Sequence, residues 1–402
     1  MNVLVLTTSY PESAESSSGL FIHELAKALR RRGHEIRVIV PGRAGCVGRC
    51  TLDGIRINRF GYSVFNRRHR LTSVPGGIPE ALRRSPVAWA EVPLMVGRFV
   101  AEATLNASWA TVLYANWLGA GLAGSAAHLL TGRPMVLTLR GDDAYLAHSQ
   151  RFWRVVARWV FRHCGTVTAV SPNMVPLMTP HLPPRLRPVR VPTFGVNTER
   201  FRPAAPRTPC VGRLPGGLYV GNLTHAKGVD VLIRALAQCR NDWARFTLVG
   251  EGSDEDAMRR LAGEHGIADR LDWLGRKTNA AIATLMQQAD FLVLASRSEG
   301  RPNVVIEALA SGLPPIATRV GGTPQLVRHG ETGLLVPSDD VAGLAEAIHR
   351  LCRDPGLRET MARTARRFVE QENLTWDRTA AEFETIFRDT AGRGAPRPAG
   401  HP

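Results

Sequence analysis

The stretch Asp290-Phe-Leu-Val-Leu-Ala-Ser-Arg-Ser-Glu299-Gly-Arg-Pro-Asn303-Val-Val-Ile-Glu307-Ala-Leu-Ala-Ser-Gly-Leu-Pro-Pro-Ile-Ala-Thr-Arg-Val-Gly-Gly322 decides the fold. Its apolar run, Phe291 to Ala295, has the length of a buried parallel strand and empties into the polar turn Ser296 to Asn303. The periodicity then predicts a helix over 303–310 with Asn303 as its N-cap, because Pro302 disfavours an earlier start. A second strand, Pro315 to Thr318, runs into Gly321-Gly322. Strand, turn and helix with open N–H groups at the helix start make an anion cradle. Two carboxylates frame it, Glu299 on the turn and Glu307 on the helix. Spacing alone leaves the alternative that both are merely solvated acids.

The wider pattern is specific. Ser-x-x-Glu299-Gly-x-Pro-Asn303-Val304-x-x-Glu307-Ala-x-Ala-x-Gly-x-Pro is followed by Val320-Gly-Gly-Thr-Pro-Gln325 and Gly330-Glu-Thr-Gly-Leu-Leu-Val336. Together they resemble the donor-site signature of the family 4 (group 1) retaining glycosyltransferases. The resemblance implies the GT-B fold, an α/β architecture of two Rossmann-like, doubly wound parallel-sheet domains facing across a cleft. A second resemblance lies at Gly221-Asn222 and Lys227-Gly228, where the family has Gly-Arg and then Lys-Gly: Lys227 matches, and Asn222 stands in the arginine position.

A chain of 402 residues suits two domains, and 44% hydrophobic content is that of an ordinary globular protein. Residues 1–10 read as a first strand rather than a secretory leader, and no long uncharged apolar stretch predicts a membrane span. Six scattered cysteines form no zinc pattern and suit a reduced cytoplasmic setting. The charge is lopsided: residues 1–205 hold 26 Lys+Arg against 11 Asp+Glu, whereas residues 206–402 hold 25 against 24. That excess favours an acidic partner for the first half, such as a phospholipid surface or a lipid diphosphate. Nucleic acid fits poorly, since the basic residues lack interleaved aromatics and any recognised motif. A bias towards arginine accounts for part of the excess, because only three lysines occur.

In chain order, a strand over 2–8 leads through Ser16-Ser-Ser-Gly19 into a helix over 20–32, and a strand over 34–40 follows. Residues 41–86 read as irregular. Residues 87–104 read as a core-facing helix, with docking on an anionic membrane as the rival reading. Further strands end at Asn116 and at Arg140-Gly-Asp-Asp143. An arginine cannot serve as a base at position 140, though it can hold an anion or pair with Asp142 or Asp143. The organisation expected is a first domain over 1–203, a hinge over 204–217, a second domain over 218–375, a helix over 376–390 returning to the first domain, and a disordered tail over 391–402.

The resemblance implies roles residue by residue. A sugar would pass from a UDP- or GDP-sugar to a hydroxyl of a glycan or polyprenyl-diphosphate-linked acceptor, with retention, in cell-surface polysaccharide synthesis. Glu299, Lys227 and Arg140 would be catalytic. Donor contacts would come from Gly19, Asn222, Lys227, Gly275, Lys277, Glu299, Asn303, Val304 and Glu307, with Glu307 on the ribose. Asn116, Arg140 and Asp143 would line the acceptor side. No metal or other cofactor is expected, and the location would be cytoplasmic or peripheral on the inner face of the plasma membrane. A nucleotide-sugar epimerase of the same fold is the rival reading.

Overall fold

The computed structural model describes residues 1–13, 16, 18–63, 69, 71–73, 78, 81, 82, 85–204 and 214–393. The chain forms two compact units, Met1–Thr193 with Trp376–Pro402, and Phe194–Thr375.

Among the described residues the first unit holds seven strands: β1 Asn2–Leu6, β2 Glu35–Pro41, β3 Gly48–Leu52, β4 Ile55–Phe60, β5 Val112–Asn116, β6 Met135–Leu139 and β7 Thr166–Ala169. Their order is β3-β4-β2-β1-β5-β6-β7, and all pairs are parallel except β3 with β4. The chain leaves β1 for β2 on one side and later reaches β5 on the other, so the strand order reverses between β1 and β5. In open sheets of this kind, ligands bind outside the carboxyl ends of the strands at such a reversal.

Part of the region read as irregular is a hairpin. Strands β3 and β4 turn on Asp53-Gly54, both at positive φ, and Asp-Gly is a strong short-range hairpin signal. Strand β3 lacks apolar alternation because it is mostly exposed at the sheet edge. Residues 64–68, 70, 74–77, 79–80 and 83–84 of that region, including most of the arginine clusters, lie outside the described residues.

The helix at 87–104 spans Pro86–Ala107 and buries Ala88, Met95 and Phe99. Helix Trp376–Arg393 belongs to this first unit. Phe383 and Phe387 pack on Tyr114 at centroid distances of 5.1 and 5.3 Å, and the Thr390 and Thr166 hydroxyls lie 2.7 Å apart. This helix runs three residues into the expected tail, since Ala391–Arg393 continue it; residues 394–402 are outside the described set.

Among the described residues the second unit has six parallel strands: β8 Gly217–Val220, β9 Phe246–Val249, β10 Leu271–Trp273, β11 Phe291–Leu294, β12 Pro315–Thr318 and β13 Leu334–Val336. Their order is β10-β9-β8-β11-β12-β13, and the reversal falls between β8 and β11. Every residue of β11 and β12 is buried, as expected for strands covered on both faces. The boundary expected at 203 falls at 193, because Val196 and Phe201 enter the apolar core of the second unit. Most of the expected hinge, residues 205–213, is outside the described set.

Candidate functional site

In the second unit the adjacent strands β8 and β11 deliver two loops to one sheet edge. The loop after β8 passes through a single 3-10 turn, His225–Lys227, into helix Val229–Gln238. Gly228 joins them at φ 61°, and a Cβ there would lie 2.0 Å from the Ala295 carbonyl oxygen. Only glycine lets the first loop press this closely on the second.

Contact between the loops is polar and direct. Lys227 Nζ donates to Glu299 Oε1 at 2.7 Å, and Ser296 Oγ donates to the same oxygen at 2.7 Å. Glu299 is 9% exposed, yet its second oxygen, Oε2, takes no hydrogen bond among the described residues. One carboxylate oxygen is thus fixed and the other is left open for a ligand. The Glu299 turn is held from β12 as well: Thr318 Oγ1 donates to the Ser296 carbonyl at 2.5 Å, and the Gly322 N–H to the Gly300 carbonyl at 2.9 Å. Tyr219, at the end of β8, is buried and donates to the Asn222 carbonyl at 2.8 Å. Burial, and then the nearby Glu299 charge, push its phenol well above the ordinary range.

Arg297, which sequence reasoning passed over, bolts the loops together. Its Nη1 and Nη2 donate to Asp230 at 2.8 Å each, its Nε to Asp339 at 2.7 Å, and its backbone N–H to the Ala226 carbonyl at 2.8 Å. Burial disfavours the Asp230 carboxylate, but Arg297 outweighs it and holds the pKa below the ordinary value.

Helix Asn303–Ala310 starts beside this turn. The sequence suggested Asn303 as its cap; the cap is Pro302, in extended conformation, and Asn303 is the first helical residue. No side chain caps the helix, so the N–H groups of Asn303 and Val304 are open among the described residues. Glu307 is half-buried one turn further on, and desolvation pushes its carboxyl up to about 7, with Arg200 pulling the other way.

Arg301 is the second residue that sequence reasoning missed. Its Nη1 is sealed from solvent without a hydrogen-bond partner, and no carboxylate among the described residues pairs with it. Burial alone pulls its pKa down to about 10. The remaining donor-side candidates lie on the loops after β8 and β10. Asn222 is exposed, and the Gly275 carbonyl accepts from the Gly250 N–H at 3.0 Å. Lys277 is half-buried and unpaired among the described residues.

The first unit gathers its own cluster at the carboxyl ends of β1, β5 and β6. Gly19, at φ 69°, precedes helix Leu20–Arg31, and a Cβ there would lie 2.6 Å from the Ser9 carbonyl oxygen. Phe21 in this helix lies under the Arg140 guanidinium, 4.5 Å from ring to carbon. Arg140 donates to Asn116 Oδ1 through Nη2 at 2.7 Å and Nε at 3.1 Å. Burial lowers its pKa, against the opposing pull of Tyr114 and Asp143. Asp143 Oδ1 accepts from the backbone N–H groups of Arg140, Gly141 and Ala144 at 3.0–3.1 Å, fixing the turn that aims Arg140. Asn116 Nδ2 is buried without a partner among the described residues, and Trp117 follows at φ 67°. A non-glycine residue held at positive φ, beside an unused buried donor, marks a ligand-facing strand end.

Thus Gly19, Asn116, Arg140 and Asp143 share one edge of the first unit, and Lys227, Glu299, Asn303, Val304 and Glu307 share the β8–β11 side of the second. Among the described residues, no three His, Cys, Asp or Glu side chains cluster as a metal would need, and no helix is long and apolar enough to cross a membrane.

Comparison with known proteins agrees with both units. Residues 215–368 match the family "Glycosyl transferases group 1", and residues 18–193 match "Glycosyl transferase 4-like domain". A glycogen synthase of Mycobacterium tuberculosis is 27% identical, covering 99% of this chain and 97% of its own. Sucrose-phosphate synthase from Thermosynechococcus elongatus superposes with a TM-score of 0.81 at 22% identity, over 98% of this chain and all of the other. HepE of Anabaena, solved with UDP-glucose, superposes at 0.74 with 21% identity, over 97% and 100%. Two glycosyltransferase domain models, one within each unit, thus match most of the chain, and its fold is that of the GT-B glycosyltransferases.

Proposed function

We propose that the protein transfers a sugar, with retention, from a nucleotide-sugar to a hydroxyl of an anionic, lipid-linked glycan acceptor. The observation that carries this is the Lys227–Glu299 pair with Glu299 Oε2 left open beside an uncapped helix start. Breaking the glycosidic bond releases a diphosphate, and the largest catalytic requirement is to neutralise that growing charge. In this reading Lys227 and the Asn303 and Val304 N–H groups do so without a metal. Glu299 turns its open oxygen to the donor sugar, Glu307 accepts from the ribose hydroxyls, and the Arg140 cluster of the first unit holds the acceptor.

The reading ties donor binding to the protonation of Glu307. Its pKa is raised from 4.5 to about 7, so the free protein prefers the neutral acid. This stabilises the fold at low pH, and the benefit is lost as pH rises from about 4.5 through about 7. Ribose hydroxyls donate better to the carboxylate, so donor affinity should rise across the same window. Thermal shift with a panel of UDP- and GDP-sugars identifies the donor, and calorimetry with that donor from pH 5.5 to 8 should then give a falling Kd. Glu307→Gln should flatten both profiles. A wild-type Kd independent of pH would remove Glu307 from the ribose.

The lipid-linked acceptor is supported by the surface of the first unit. Trp89, Leu94 and Leu105 are exposed on helix Pro86–Ala107, and Phe152 and Val155 on helix Arg151–Arg162. The second helix also carries Arg151, Arg154, Arg158 and Arg162 and no acidic residue. Apolar side chains between arginines suit the interface of an anionic bilayer. The protein should therefore co-sediment with anionic vesicles in a salt-sensitive manner; equal binding to neutral vesicles would reject this acceptor surface.

A further inference from the structure

Arg301 differs from the other two long-chain cations of these loops, Lys227 and Arg297. Arg297 on the same turn is matched by Asp230 and Asp339, and Lys227 by Glu299. Arg301 has no carboxylate, and its Nη1 is buried without an acceptor among the described residues. Sealing one donor of a guanidinium from water without an acceptor is costly, and with Nε and Nη2 also lacking a protein partner among the described residues the counter-charge is left to come from a ligand.

The position of Arg301 narrows the choice of anion. It lies two residues after Glu299 and directly before Pro302, on the turn that the donor-site reading assigns to the transferred sugar. The diphosphate already has a lysine and an open helix start. A planar fork of donors matches a carboxylate with two parallel hydrogen bonds, where an ammonium would offer a point charge. We propose that Arg301 binds a carboxylate on the transferred sugar, so that the donor is a nucleotide-linked uronic acid. This inference rests on the donor-site reading above, and names the substrate class of that site.

Titration calorimetry on the full chain tests it, pairing UDP-glucuronate with UDP-glucose and GDP-mannuronate with GDP-mannose, alongside UDP and GDP alone. In the pair with the preferred base, the uronate should bind about tenfold more tightly or better, the worth of a charge-assisted hydrogen bond. Arg301→Met should erase that preference, leave affinity for the free nucleotide nearly unchanged, and raise Tm, because a sealed donor without an acceptor has gone. Arg301→Lys should restore part of the preference, and Arg301→Gln replaces the methionine variant if that fails to fold. Equal binding of uronate and neutral sugar to the wild type overturns the inference while the donor site stands. So does a uniform weakening of nucleotide, neutral donor and uronate in Arg301→Met, which would place the guanidinium on the diphosphate. If no nucleotide binds the wild type, the donor-site reading itself fails, and this inference with it.

Discussion

Lys227→Ala should lower kcat by roughly a hundred- to a thousandfold, the usual loss when one preorganised donor to a developing charge is removed. The lysine makes a single 2.7 Å bond to Glu299, leaving the rest of its ammonium free for a diphosphate. Its contribution grows as negative charge collects on the leaving group, so the loss should fall mainly on kcat, with a smaller rise in donor KM. The substitution also strips Glu299 of its cation, so Tm should fall. Lys227→Arg should recover stability better than rate, because a planar fork does not reproduce a compact ammonium in that turn. Steady-state kinetics with the identified donor decide the matter: a kcat within a few-fold of wild type would dismiss Lys227 from the chemistry.

Glu299→Gln is the subtler change and should be nearly as damaging. The amide has the same shape and can still accept from Ser296 and Lys227 through its oxygen, so the fold and much of donor affinity should survive. What vanishes is the negative charge on the atom left open, Oε2, together with its power to accept from the donor sugar. Transfer should fall about a hundredfold or more while donor Kd changes only a few-fold, since a positioning group acts on the reacting geometry. Turnover close to wild type would strike Glu299 from the assignment, and an equal loss of binding would make it an anchor for the nucleotide.

Both predictions rest on residues legible in the sequence because each sits where a local pattern changes. Glu299 interrupts the passage from a wholly apolar strand to a helix, and Lys227 stands in a glycine-bounded loop after another such strand. Period and turn chemistry find positions of that kind. Arg297 and Arg301 were invisible to the same reasoning. In a chain with 48 arginines nothing local separates a clamp, a lone buried cation and a solvated side chain. The distinction depends on which carboxylates arrive from distant segments: Asp230 and Asp339 reach Arg297, and none among the described residues reaches Arg301. The hairpin β3–β4 was missed for a different reason. Its outer strand pairs through backbone groups at an exposed edge, where side chains keep no alternation, and Asp53-Gly54 was its only mark.

The Arg297 clamp has a kinetic corollary. Because one guanidinium fastens both loops of the second unit before any substrate arrives, little conformational freedom remains to be surrendered at the moment of capture. A nucleotide should therefore meet a receptor already in its working shape, and its arrival rate should be set by encounter and charge rather than by a folding-up of the loops. Drift at position 297 would matter less for what the pocket contains than for how long each visitor has to wait.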